Sequence, residues 1–227
     1  MTKKYSLVKH HLGFYEVNPK PSNIELSEHY AKKYYQQLSG GYANTYSEDE
    51  LRYFKVSCEL ALKTILRFSN VKNKKLLDLG CGEGFFADFF CKEGWTASLV
   101  DFSDAGLKRH NPSLLSSFTQ GDLLTFIESE KKNIKEYNLI NLDNVLEHVI
   151  DPIGLLTSLK SEMDSDAILR IEVPNDFSAF QSLLTNLNCT KETWVSPPEH
   201  LSYFNSRGLK LLLESQGFHV LSLQADF

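Results

Sequence analysis

An apolar run, Leu76-Leu77-Asp78-Leu79, leads into Gly80-Cys81-Gly82-Glu83-Gly84-Phe85, so a carboxylate and three alternating glycines meet at one strand-to-helix turn. Glycine tolerates positive φ and has no Cβ to hold a ligand off the main chain, so a small molecule can lie directly against such a turn. A dinucleotide would rest its pyrophosphate on the amides of the following helix. The spacing here is G-x-G-x-G, however, and Phe85 stands where a dinucleotide fingerprint carries its third glycine. Asp78 and Glu83 also place negative charge where the pyrophosphate would lie, which suits a cation better.

S-adenosyl-L-methionine meets that requirement, having a sulfonium, an ammonium and an adenosine but no phosphate. The motif Leu77-Asp78-Leu79-Gly80-Cys81-Gly82-Glu83-Gly84 resembles the first motif of the class I S-adenosylmethionine-dependent methyltransferases, and later landmarks recur in that family's order. Roughly 20 residues on, Asp101 stands where a ribose-binding carboxylate falls, and the next residue, Phe102, offers a flat face to adenine. In the family an acid after the third strand receives the adenine amino group, which implies Asp122 with Leu123 beside it; Asp122 is equally suited to cap the next helix. The stretch Asp143-Asn144-Val145-Leu146-Glu147-His148 resembles the fourth motif, and implies that Asp143 and Asn144 lie near the methionine end of the cofactor. The cofactor set is therefore Asp78, Gly80, Cys81, Gly82, Gly84, Phe85, Asp101, Phe102, Asp122, Leu123, Asp143 and Asn144.

Methyl transfer needs the acceptor in line with the sulfonium, so positioning supplies much of the catalysis and a base is optional. For a hydroxyl acceptor a histidine is suited to take the proton. His148 and His200 are the candidates, the second in Pro197-Pro198-Glu199-His200-Leu201, a string that also recurs in similar methyltransferases in a structural role. Glu147 is read either as holding a histidine or substrate hydroxyl, or as a solvated glutamate. Upstream, residues 30–42 combine four tyrosines with Gly40-Gly41, which suits a lid that excludes water. Tyr34 and Tyr42 are its candidates for cofactor or substrate contact.

These residues need a scaffold. Short apolar runs near 75–79, 96–101, 117–121, 137–143, 166–173 and 218–226 alternate with helical segments, the pattern of an α/β fold: a doubly wound, Rossmann-like, mostly parallel sheet with helices on both faces. Ser47-Glu48-Asp49-Glu50 forms a capping box, and Leu51, Phe54, Cys58, Ala61, Leu62, Ile65 and Leu66 then share one helix face. Asp151-Pro152 starts a helix, and Gly94 and Gly217 end helices. Two regions follow: an N-terminal helical extension and lid, 1–70, and the cofactor-binding domain, 71–227. The family's sheet usually has seven strands, and the sequence stops at Phe227 after the expected sixth, which implies a short sheet or a truncated chain.

Composition narrows the partners. A net charge of -5 argues against bulk nucleic acid. The four cysteines show no metal-ligand or disulfide spacing, no metal is expected, and a reducing cytoplasm is the simplest setting. No signal peptide or membrane span stands out. The leading reading is a methyltransferase acting on oxygen or nitrogen, or on carbon, of a small molecule; by resemblance, the N-terminal pattern suggests a sugar or other secondary metabolite. A nicotinamide-dependent oxidoreductase and a non-catalytic cofactor-binding partner subunit are the alternatives.

Overall fold

The computed structural model describes residues 4–22, 24–26, 28, 43–69, 71 and 73–225; Tyr34, Tyr42 and the expected lid lie outside the described residues. Contacts divide the chain into two compact units, one of residues 30–143 and 161–171, the other of 1–29, 144–160 and 172–227.

The first unit is built on strands β3 (Lys75–Leu79), β4 (Thr96–Asp101), β5 (Phe118–Gln120), β6 (Leu139–Asp143) and β7 (Ile168–Glu172), in the order β5-β4-β3-β6-β7. The pairs β3/β4, β3/β6 and β4/β5 are parallel. Strand order reverses between β3 and β6, the crevice where doubly wound sheets bind ligands. Leu76, Leu77, Leu79, Leu99, Val100, Leu139, Ile140 and Leu142 are wholly buried, as expected for a sheet covered on both faces. Each buried side chain contributes about 1.5–3 kcal/mol as an upper bound.

Helix α1 (Glu48–Phe68) begins with the expected capping box, Ser47 Oγ accepting from Glu50 N. It buries Cys58 and Ile65 in a cluster with Leu76, Phe86, Phe90 and Leu99. The expected apolar face is too wide: Leu51 and Leu66 are 43% and 53% exposed. The glycine turn leads into helix α2 (Phe85–Lys92), which Gly94 terminates with φ 84°.

The second unit contains an unexpected three-stranded antiparallel sheet, β1 (Ser6–Lys9), β2 (Tyr15–Asn18) and β8 (Ser202–Tyr203). Its first two strands lie where only helical periodicity was legible, because a four-residue strand offers too few alternations to detect. Phe14, Val17, Tyr203 and Phe204 form its buried centre. A helix, Ser206–Ser215, follows Asn205, whose side chain accepts from Gly208 N. The expected strand at 218–226 is not formed among the described residues 218–225. Leu221 and Leu223 there are 43% and 53% exposed, so the alternation has no covering surface to fold against.

Candidate active site

The glycine turn is held from below and from the side. Gly80, Gly82 and Gly84 have φ of 79°, 53° and 78°, values that disfavour any side chain. Gly80 N and Cys81 N both donate to Val100 O, at 2.8 and 3.2 Å, which ties the turn to β4. Asp101, at the end of that strand, accepts from Gly82 N through Oδ2 (3.0 Å) and from Ser103 N through Oδ1 (3.1 Å). Burial pushes its carboxyl above the ordinary range against these hydrogen bonds. A backbone hydrogen bond from Phe102 also reaches this carboxyl, which leaves one of its four lone-pair sites.

Close approach is also required from a third element. Helix α3 (Ala105–His110) presents Gly106 to the turn, and a Cβ there would lie 2.7 Å from Gly82 O and 2.9 Å from Gly82 C. Asn111, at the end of that helix, donates from Nδ2 to Glu83 O at 2.7 Å. The Tyr46 hydroxyl donates to Glu83 Oε1, and its ring packs edge-on against Phe85. Phe85 also stacks on Phe54, with centroids 4.9 Å apart. Burial and the Glu83 carboxylate both push the Tyr46 phenol well up.

Across the strand-order reversal, Asp78 on β3 pairs in register with Asn141 on β6. Asp78 Oδ1 accepts from Asn141 Nδ2 at 2.7 Å, and Arg170 on β7 donates to Asn141 Oδ1 (2.7 Å) and Asp143 Oδ2 (3.0 Å). The Arg170 guanidinium lies 4.7 Å from the Phe86 ring centroid. Asp78 is 1% exposed, its Oδ2 has no hydrogen-bond partner, and burial pushes its carboxyl up to about 7. A buried carboxylate oxygen with open lone pairs suits a cationic ligand and opposes a phosphate.

Of the remaining expected cofactor residues, Phe102 is half exposed on the loop after β4. Asp122 caps helix α4 (Leu123–Ile134), its Oδ1 accepting from Thr125 N at 2.9 Å, and Leu123 is buried behind it. Asn144 takes a left-handed turn with φ 51°. Sequence reasoning missed Tyr46, Gly106, Asn111, Asn141 and Arg170. Asn141 and Arg170 carried a signal, being polar residues within apolar strand runs; the others act through tertiary contacts with no local pattern.

In the second unit, Glu147, His148 and His200 come together, their ligand-type atoms within 4.8 Å of one another. Glu147 is 1% exposed, which overturns the solvated reading. His148 Nδ1 lies 2.7 Å from Glu199 O, and the two imidazole rings meet edge to face at 4.8 Å.

A family model for a methyltransferase domain matches residues 47–223. The ubiquinone biosynthesis O-methyltransferase of Vibrio campbellii is 29% identical over 147 residues, 62% of this chain and 57% of that protein. The enzyme of the same name from Actinobacillus pleuropneumoniae serotype 7 is 23% identical over 171 residues, 68% of this chain and 73% of that protein. The chain thus spans little more than half the length of the Vibrio relative, at 57%. Among solved structures, a SAM-dependent methyltransferase from Archaeoglobus fulgidus superposes with a TM-score of 0.57 at 22% identity, covering 76% of this chain and 72% of that one. Magnesium protoporphyrin IX methyltransferase from Synechocystis gives 0.56 at 13% identity, covering 86% and 90%. At these identities the likeness establishes the fold.

Proposed function

The chain belongs to the methyltransferase-domain family, matched over residues 47–223, and from that premise we propose that it binds S-adenosyl-L-methionine at the Gly80–Gly84 turn and transfers its methyl group to an oxygen of a small molecule. The observation that carries this reading is the concentration of carboxylates around a glycine turn pinned by Asp101, with Asp78 buried and open at Oδ2. Such a site favours a sulfonium and an ammonium over a pyrophosphate. It counts, together with Phe85, against a nicotinamide cofactor.

Bound there, the cofactor supplies an activated methyl group. The residues of the chain bind and orient it. The remaining lone pair of Asp101 is directed to a ribose hydroxyl, and Phe102 offers a half-exposed ring to adenine. Capping occupies Asp122 Oδ1, leaving Oδ2 for the adenine amino group. Asp143 and Asn144 are assigned to the methionine end, with Arg170 holding Asp143 in place. Oxygen is chosen as acceptor atom because the curated relatives named above are O-methyltransferases. Glu199 O accepts the Nδ1 proton of His148, so in this tautomer a hydroxyl proton would go to Nε2. No helix among the described residues is long and apolar enough to cross a membrane. All four cysteines are free thiols, in keeping with a cytoplasmic setting.

The test is a screen of methyl transfer from labelled S-adenosylmethionine to phenols and catechols, sugars, and amines. Transfer to a hydroxyl supports the reading. Transfer confined to amines or carbon acids overturns the acceptor atom, and cofactor binding without turnover on any acceptor points to a partner subunit.

A further inference from the structure

We propose that Arg170, acting through the side-chain amide of Asn141, is a positioning residue for Asp78. It keeps Asp78 Oδ2 open as the acceptor for the ammonium group of the methyl donor, so that the donor on binding displaces a proton from that oxygen to solvent. The proposal rests on the reading that S-adenosyl-L-methionine binds at the Gly80–Gly84 turn.

An asparagine amide has one accepting and one donating end, and what faces each end decides its orientation. Arg170 can only donate, and its Nη1 lies 2.7 Å from Asn141 Oδ1. Reversed, the amide would turn its NH2 toward the guanidinium and its oxygen toward the Asp78 carboxyl. Arg170 therefore aims Asn141 Nδ2 at Asp78 Oδ1, at 2.7 Å. The guanidinium is itself held, by Asp143 Oδ2 at 3.0 Å and by the Phe86 ring, whose centroid is 4.7 Å away. Because β3 and β6 are in register at Asp78 and Asn141, the chain of contacts runs straight across three neighbouring strands.

The result is an asymmetric carboxyl. Oδ1 is engaged by Asn141, whereas Oδ2 has no hydrogen-bond partner in a residue that is 1% exposed. A proton on Asp78 therefore sits on Oδ2, which then donates and no longer receives an ammonium N–H. Proton and ammonium compete for one atom. Asp143 on β6 and Asp101 on β4 favour the proton, Arg170 on β7 opposes it, and the Cys81 thiol in the turn is kept neutral by burial. Burial outweighs the Asn141 hydrogen bond and holds the carboxyl up to about 7, so the competition falls near neutral pH.

The experiment is calorimetric titration of the full chain from pH 5.5 to 8 with S-adenosylhomocysteine and with methylthioadenosine, which has the nucleoside but no amino-acid group. Any dependence on Asp101 is common to both ligands, and the difference between them isolates Asp78. Relative to methylthioadenosine, S-adenosylhomocysteine should bind about thirtyfold more weakly at pH 5.5 than at pH 8, the midpoint lying near 7. Buffers of differing ionisation heat should show about half a proton released per ligand at pH 7. Asp78→Asn should abolish the difference. Asn141→Leu and Arg170→Met should each move the midpoint up by about half a pH unit or more, a shift that loss of stability alone does not produce. The proposal is overturned if the two ligands give parallel pH profiles, or if folded Asn141→Leu and Arg170→Met keep the parent midpoint. Binding of neither ligand at pH 8 overturns the cofactor reading and this proposal with it. Should one variant fail to fold by circular dichroism, the other carries the test.

Discussion

Replacing Gly106 by alanine tests whether the glycine turn is shaped by what packs on it. The new Cβ would sit 2.7 Å from Gly82 O, 2.9 Å from Gly82 C and 3.1 Å from Glu83 Cα. These are backbone atoms, and they are pinned by Asp101 at Gly82 N and by Asn111 at Glu83 O. Ordinary contact begins near 3.4 Å, so helix α3 or the turn must withdraw by about 0.7 Å. Overpacking of this kind costs about 1–3 kcal/mol, and the gain in helix propensity from glycine to alanine offsets about 1 kcal/mol of it. The net of about 0–2 kcal/mol corresponds to a fall in Tm of up to roughly 8 °C for a chain of this size. Because the displaced group is the Gly82 backbone, affinity for S-adenosylhomocysteine should fall at least tenfold by calorimetry. Gly121→Ala is the control, since nothing lies within 4 Å of its Cβ position and the change should be neutral in both assays. Wild-type Tm and affinity in Gly106→Ala would refute the reasoning.

Three further outcomes are expected. Asp78 is held up to about 7 by burial, against an ordinary 3.8, so its contribution to stability is fully present below pH 3.8 and is lost as pH rises through 7. The loss is at most about 4 kcal/mol, and Tm recorded from pH 4.5 to 8 should fall less steeply in Asp78→Asn than in wild type; parallel profiles would contradict this. Tyr46→Phe removes the hydroxyl that meets Glu83 in the turn and should cost about 1–2 kcal/mol in denaturant unfolding; no change in midpoint would mean the contact contributes nothing. Arg170→Met leaves Asn141 Oδ1, in a fully buried residue, without that donor. It should cost about 1–3 kcal/mol and weaken cofactor affinity through Asp143, both readable by thermal unfolding and calorimetry.

The parallel sheet was legible because most of its strands are largely apolar runs bounded by turn residues, and the glycine turn because its spacing is local. The capping box at Ser47 and the start at Asp151-Pro152 were legible for the same reason: Ser47 Oγ and Asp151 Oδ1 act three residues along the chain. What escaped depends on distance in sequence. Strands β1 and β2 are too short for alternation to register, and β2 pairs with β8 from the far end of the chain. At 218–226 the reverse error arose, alternation without a partner strand among the described residues. Gly106, Asn111 and Tyr46 reach the turn only through the fold. Glu147, His148 and His200 were legible one by one as candidates, whereas their approach to within 4.8 Å joins two distant parts of the chain and has no local pattern.

The central claim is that the turn pinned by Asp101 binds a phosphate-free, cationic nucleoside cofactor. Calorimetric titration of the wild-type chain and Asp101→Asn with S-adenosylmethionine, S-adenosylhomocysteine and NAD tests it most directly. The account predicts one-to-one binding of the first two, no binding of NAD, and at least a tenfold loss in the variant. Binding of NAD alone, or S-adenosylmethionine affinity untouched by Asp101→Asn, would contradict it.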